Sequence, residues 1–305
     1  MLHLLLFLLL SFLNNIMLWE GVSMSAYELL HFNTAVAAKK PYCIANPQVK
    51  CPFCDRGSLV NILAEDYPIL LVMNKYPVLK DTYPTVLVET ADCQQEFSDY
   101  PKEHLHKVIS FGVKKWLEFE NSQQFASVIF YKSHGPLSGG TVKHPHMQII
   151  GLNTVNCYKN VLPEHFEGII IDQKDGVEFN LATKPRTGYT EFNITLTNPK
   201  LAKIADPVKS TGPQEELQGL ELKDYLNPEQ LNQFADYTQM ATHFSLHYFH
   251  KNCNSYNIFF YRLDDRIIAK VIPRFVTSPL FIGYSLPQVS DNQDAILRII
   301  REKYF

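Results

Sequence analysis

The stretch from Gly135 to Gly151, Gly-Pro-Leu-Ser-Gly-Gly-Thr-Val-Lys-His-Pro-His-Met-Gln-Ile-Ile-Gly, constrains this chain more than any other. It reads as a loop that turns into a strand. Ser138, Gly139, Gly140 and Thr141 are small and turn-prone, so the backbone there can approach a ligand closely and offer its N–H groups. From His144 the side chains alternate: His144, His146 and Gln148 fall on one face, Pro145, Met147 and Ile149 on the other. A strand running into Ile149-Ile150 is bound for a buried sheet. Two imidazoles and an amide in a row on it must be satisfied or used. Partner-bonding at a strand edge would account for one lone histidine. Three polar side chains directly after a Gly-Gly loop favour a functional face.

The chain has 305 residues, enough for one large domain or two of ordinary size. Hydrophobic residues make up 46% and charged residues 19%, which suits a packed protein and excludes a disordered one. A net charge of −3 gives no electrostatic reason to expect a nucleic-acid partner. Six cysteines in a chain this long do not make a disulfide framework. Cys51-Pro52-Phe53-Cys54 is a C-x-x-C pair, which favours a metal in a reducing compartment, so a cytoplasmic location is expected.

The segment from Met1 to Met17 is rich in Leu and Phe, with one His and no Lys or Arg. It lacks the basic region and the small-residue cleavage site of a signal peptide, and its apolar run is short for a membrane span. Trp19-Glu20-Gly21-Val22-Ser23-Met24 can be encoded by DNA carrying AAGGAG shortly before an ATG at Met24, a ribosome-binding site seen through the genetic code. The expectation is a natural start at Met24, with residues 1–23 a spurious extension. A native N-terminal peptide from Met1 to Ser23 in a mass spectrum would rule this out, and a membrane anchor would then be the alternative.

The C-x-x-C knuckle can present two thiolates to one tetrahedral ion, zinc above all. A redox dithiol would need the pair at a helix N-terminus after a strand, whereas Asp55-Arg56-Gly57 reads as a turn. Ile69 to Met73 is a buried strand ending in Asn74-Lys75-Tyr76-Pro77. Thr85 to Glu89 is a second strand, and Cys93 near its end is a candidate third ligand. Pro101 to Glu120 has helical apolar spacing, with Pro101 in the first turn and His104 and His106 expected to be solvated or capping. Phe125 to Tyr131 is a third strand.

Cys51-x-x-Cys54, Asn74-Lys75-Tyr76-Pro77, a strand ending in Glu89-Thr90-Ala91-Asp92-Cys93, the Gly-rich loop and His144-Pro145-His146-Met147-Gln148 follow, in order, the pattern of the galactose-1-phosphate uridylyltransferases. The chain resembles that family, the transferase branch of the histidine-triad superfamily, best over residues 45–151. Relatives in the superfamily include ADP-glucose phosphorylase and the diadenosine-tetraphosphate phosphorylases. The resemblance implies that His146 is the nucleophile that takes the nucleotidyl group and that Gln148 holds a phosphate oxygen. It implies a metal set of Cys51, Cys54 and His144. The family's fourth ligand is often a His where this chain has Cys93, so a Cys₃His zinc site is expected, with His134 the runner-up. Four protein ligands make that zinc structural.

The residue types agree with this chemistry. A neutral imidazole can attack the α-phosphorus of a nucleotide and form a phosphoramidate, splitting one transfer into two displacements. Amides of the Ser138-Gly139-Gly140-Thr141 loop can meet charge building on phosphoryl oxygens. The amide of Gln148 does not titrate, which favours transfer over hydrolysis. Asn74 is a candidate nucleotide contact by the resemblance, and a turn-forming Asn by its local sequence.

In the second half, Gly168 to Asp172, Val177 to Ala182 and Glu191 to Thr197 read as strands. Residues 198–227 read as an excursion, Pro228 to His250 as a long helix, Tyr256 to Arg262 with Arg266 to Ile272 as a hairpin, and Asp291 to Tyr304 as a final helix. His243, His247 and His250 have near-helical spacing, a weak metal signal. The uridylyltransferases duplicate their fold, so this half resembles a second, degenerate repeat. Where that family carries histidines for a second metal, this chain has Ala269-Lys270-Val271, which implies that the second metal is absent and puts a hexose 1-phosphate substrate in doubt. Lys270 and Arg274 could bind an anionic acceptor, although surface charge accounts for them equally well.

The expected architecture is α+β: two tandem histidine-triad-like halves of antiparallel sheet flanked by helices, over residues 24–155 and 156–305. The expected function is nucleotidyl transfer between a nucleotide sugar and a sugar 1-phosphate or phosphate. The alternatives are a dinucleoside-polyphosphate phosphorylase or hydrolase, and a non-catalytic nucleotide-binding relative. The resemblance allows a homodimer, since the family often pairs, while the sequence itself does not give the oligomeric state.

Overall fold

The computed structural model describes residues 28–46, 48–205, 225–275 and 277–305. The extension 1–23, the start at Met24 and residues 206–224 of the excursion lie outside them. The chain divides into residues 1–30 and a compact unit from His31 to Phe305, and the architecture below belongs to that second unit.

Ten strands form one antiparallel sheet: β1 (Ile62–Asp66), β2 (Ile69–Met73), β3 (Thr82–Val88), β4 (Ser127–His134), β5 (His146–Leu152), β6 (Gly168–Lys174), β7 (Val177–Ala182), β8 (Phe192–Thr197), β9 (Tyr256–Leu263) and β10 (Arg266–Pro273). Their spatial order is β1-β2-β3-β5-β4-β9-β10-β8-β7-β6. Taken from each outer edge inward, the two halves repeat one topology, with the fifth strand inserted before the fourth. Helix α1 (Lys102–Asn121) lies between β3 and β4, and helix α2 (Pro228–Phe244) occupies the same place between β8 and β9. The halves join where β4 pairs with β9. Phe130 and Phe260 stack across that seam with ring centroids 4.1 Å apart.

The helices form because their apolar residues recur at three and four. Leu105, Val108, Ile109, Val113, Trp116 and Leu117 make the buried stripe of α1. In α2, Pro228 occupies the first turn and the Asn227 side chain accepts the amide of Glu229 at 2.8 Å. The regular helix stops at Phe244 and continues as a π turn, Ser245–Phe249, instead of running on to His250. Ser245 Oγ donates to the Ala241 carbonyl at 2.6 Å where the winding changes. A third helix, α3 (Gln293–Tyr304), closes the chain.

Both long helices cover one face of the sheet, so the strands divide by parity. Met147 and Ile149 join the main core with Val108, Trp116, Phe234 and Tyr237. The opposite face carries a smaller cluster of Leu70, Val72, Val86 and Val88, capped by Phe53 and Leu59. Val86 pairs with Gln148 and Val88 with His146 in the ladder, which sets those two polar side chains on that second face. Strand β1 gives little sequence signal because four of its five residues are exposed. His104 and His106 differ from expectation, since both are half-buried on α1. His106 pairs with Asp236 at 2.7 Å, and the ring of His104 meets that of Tyr100 edge-on at 4.7 Å. Among the described residues no helix is long and apolar enough to cross a membrane.

Candidate functional site

The knuckle, the end of β3 and the start of β5 converge at one corner. The ligand atoms of Cys51, Cys54, Cys93 and His144 all lie within 4.8 Å of one another. Both Cys51 Sγ and Cys54 Sγ are 3.6 Å from His144 Nδ1. The other ring nitrogen of His144, Nε2, donates to the Thr90 carbonyl at 2.9 Å. That bond leaves the Nδ1 lone pair for a metal, the arrangement by which an outer partner fixes a ligating imidazole. Three thiolates and one imidazole suit a tetrahedral ion of the zinc type. The knuckle enters a short 3-10 turn, Arg56–Ser58, and no helix starts there, so the geometry of a redox dithiol is missing. His134, the alternative ligand, lies elsewhere: its Nδ1 is 3.3 Å from Glu96 and its ring stacks on Tyr256 at 4.9 Å. Burial pulls the His134 imidazole down to about 3.

His146 stands next to this corner, half-buried, with the Phe53 ring of the knuckle 5.5 Å from its own. Its Nδ1 donates to the His144 carbonyl at 2.7 Å, so Nε2 carries the lone pair. Burial pulls the imidazole down to about 4, which keeps it neutral near pH 7. His146 and Gln148 line a cavity of about 340 Å³, within the range of small-ligand sites. Its walls also hold Phe53, Val72 and Val86, which are apolar, and Lys40, Asn74, Lys75, Tyr76 and Thr141, which are polar or charged. Burial lowers the ammonium pKa of Lys40, which is half-buried.

The proposed phosphate loop divides. Thr141 lines the cavity, whereas Ser138, Gly139 and Gly140 lie outside its lining. The Gly140 amide donates to Ser138 Oγ at 3.2 Å, and Ser138 Oγ donates to the Gly135 carbonyl at 2.7 Å. Gly135 has φ +81°, and a Cβ there would stand 2.1 Å from the Asn254 carbonyl, so the loop is pinned against the segment before β9. Asn74 lines the cavity and also closes its own turn, accepting the Tyr76 amide at 2.9 Å. Arg274 is half-exposed beside the loop, with Nε donating to the Leu137 carbonyl at 3.4 Å.

Lys270 is a correction. It is fully buried on β10, away from the cavity. Its ammonium donates to Glu191 at 2.9 Å, to Asn193 Oδ1 at 2.8 Å and to the His165 carbonyl at 2.8 Å. An ammonium has three donors, so none is left for an anionic acceptor. Burial works to raise Glu191, but Lys270 and the amides of Arg186, Thr187 and Gly188 outweigh it and hold the carboxyl below its usual range. Sequence reasoning missed Lys40 and Lys75 as cavity walls. Lys75 sits inside the Asn74-Lys75-Tyr76-Pro77 motif and was within reach of it. Lys40 lies before the knuckle with no motif to mark it.

Family models for the N-terminal and C-terminal domains of DUF4931, each described as a domain of unknown function, match residues 32–155 and residues 158–213 with 220–305. A DUF4931 family protein from Bacillus cereus is 38% identical, with 80% of this chain and 99% of that one covered and a TM-score of 0.64. A uridylyltransferase structure shares 14% identity at a TM-score of 0.60, covering 84% of this chain and 92% of that one. An ADP-glucose phosphorylase from Arabidopsis thaliana with bound ADP-glucose shares 12% at 0.61, covering 90% and 98%. No curated protein matches the chain in sequence. The chain therefore belongs to the DUF4931 family, and its fold is the two-half histidine-triad fold of the uridylyltransferases.

Proposed function

We propose that this protein transfers a nucleotidyl group through a covalent intermediate on His146, taking it from a nucleotide sugar and passing it to a phosphate or sugar phosphate. One observation carries the proposal: Nδ1 of His146 is tied to the His144 carbonyl at 2.7 Å while the ring lines a cavity of small-ligand size. In the first displacement the Nε2 lone pair attacks the α-phosphorus. The P–N bond forms as the P–O bond to the departing sugar phosphate breaks, and that group leaves with the bonding electrons. The ring then carries positive charge, and the Nδ1–H bond to the His144 carbonyl becomes charge-assisted. In the second displacement a phosphate oxygen of the acceptor attacks the same phosphorus. The P–N bond breaks and its electrons return to Nε2.

Gln148 on the same face is suited to donate its amide N–H to a non-bridging oxygen where charge develops. Lys40 and Lys75 supply positive charge to the wall that phosphates would meet. For the Cys₃His corner we propose zinc in a structural role, since its four protein ligands leave no open position.

The test is incubation with UDP-glucose, ADP-glucose and diadenosine tetraphosphate, each labelled at the α-phosphate, followed by denaturing gel analysis. The expected result is an acid-labile label on the wild type with a nucleotide sugar and none on His146→Ala. Label from diadenosine tetraphosphate alone would change the donor to a dinucleoside polyphosphate. Absence of label with all three would overturn the covalent mechanism and leave a nucleotide-binding protein.

A further inference from the structure

On the helix-covered side of the sheet, far in sequence from the knuckle, a second set of metal-ligating side chains meets. We propose that Asp99, His243 and His247 bind a divalent transition-metal ion of the zinc type, at a site separate from the Cys₃His corner. Their ligand atoms all lie within 4.8 Å of one another. Asp99 ends the 3-10 turn Phe97–Asp99 that precedes α1. His243 is in the last turn of α2, and His247 follows in the π turn. The set thus draws one ligand from the first half of the fold and two from the second.

Four features of the site favour an ion. Residues four apart on a helix share a face, and the imidazoles of His243 and His247 stand with centroids only 4.3 Å apart, where one cation can take a lone pair from each. The Nδ1 of His243 is hydrogen-bonded to the Tyr304 hydroxyl at 2.7 Å, which leaves Nε2 as the ligating nitrogen and fixes the plane of the ring. Ser98 Oγ donates to Asp99 Oδ2 at 3.0 Å, so Oδ1 of the same carboxylate stays available. The end of α2 adds the negative pole of a helix of seventeen residues, which also favours a cation.

Ligand atoms on one tetrahedral zinc stand roughly 3.3 Å apart. Asp99 and His247 are exposed and free to close the remaining distance by small rotations, while half-buried His243 stays fixed by Tyr304. Two imidazoles and a carboxylate leave a fourth position for water, in contrast to the closed thiolate corner. His250, the third of the spaced histidines, takes no part, since its ring packs on Phe275 with centroids 3.9 Å apart.

The experiment is equilibrium dialysis of the full-length protein against low-micromolar free zinc, with metal counted by mass spectrometry. The wild type is expected to hold one equivalent more than either His247→Ala or Asp99→Asn, both substitutions at exposed positions. Filling of the Cys₃His corner cancels in that difference. A Tyr304→Phe variant keeps the three ligands and is expected to bind the extra zinc about tenfold more weakly. Cobalt substitution supplies a second readout. The equivalent lost in the variants should lack the thiolate-to-cobalt charge-transfer band that the Cys₃His corner shows. Equal zinc content in wild type and both variants would overturn the site. So would a lost equivalent that carries the thiolate band.

Discussion

Strands β5 and β10 hold the same place in the two halves of the sheet, each inserted between the third and fourth strands of its half. On β5 the face turned from the helices carries His146 and Gln148, and both border open space. On β10 the corresponding face carries Lys270, with every donor taken by Glu191, Asn193 and His165. One strand leaves polar groups free for a ligand, and the other spends them on its own fold. Duplicated topology therefore does not duplicate chemistry: what matters is whether a polar side chain on the second face meets a partner or a cavity.

Substitutions can break this contrast. The largest effect is expected from His146→Ala, which should lower transfer by on the order of 10⁴-fold or more in a steady-state assay while leaving the melting temperature close to wild type. Equal loss of folding would mean that β5 is structural like β10. Next is Lys270→Met, which leaves Glu191 buried without its cation and should destabilise by about 3–5 kcal/mol in chemical denaturation. The double substitution Lys270→Met with Glu191→Met should recover only part of that loss, because it removes the unpaired charge but leaves the amides of Arg186, Thr187 and Gly188 without their acceptor. Gln148→Ala should lower kcat by about 10²–10³-fold with little change in melting, as for removal of one donor to a developing oxyanion.

The smallest effect concerns the seam between the halves. Glu120 at the end of α1 pairs with Arg262 of β9 at 2.9 Å, and burial pushes its carboxyl up to about 7 despite that partner. A raised carboxyl favours the protonated form in the fold. Its contribution to stability is therefore fully present below about 4.5 and is lost as pH rises through about 7. Denaturation at pH 5 and pH 8 should show the wild type losing on the order of 1–3 kcal/mol relative to Glu120→Gln over that interval. A flat difference would mean that Arg262 keeps the carboxylate ionised throughout.

Much of the first half was legible because its chemistry is local in sequence. The alternation from His144 to Ile149 fixes which side chains share a face, and the knuckle spacing fixes two ligands. The fate of Lys270 was not legible, because its partner Glu191 is set by the pairing of β10 with β8 across a long separation in the chain. A lysine in an apolar run looks the same whether it is free or neutralised. The loop amides posed the same problem. Ser138 and Gly140 look like a phosphate cradle in sequence, yet Ser138 Oγ takes the Gly140 amide. Strand β1 escaped because an exposed edge strand carries no periodic apolar signal.

His144 performs two tasks with different atoms. Its ring joins the cysteine corner, and its backbone oxygen accepts the hydrogen bond from Nδ1 of His146. A change at the corner that moved this carbonyl would therefore remove the bond that fixes the tautomer of His146, and with it the lone pair on Nε2 that the proposed transfer needs. With zinc in the corner as proposed, stripping it with a chelator should abolish labelling before the sheet unravels, with nitrogen NMR of the imidazole reporting the switch.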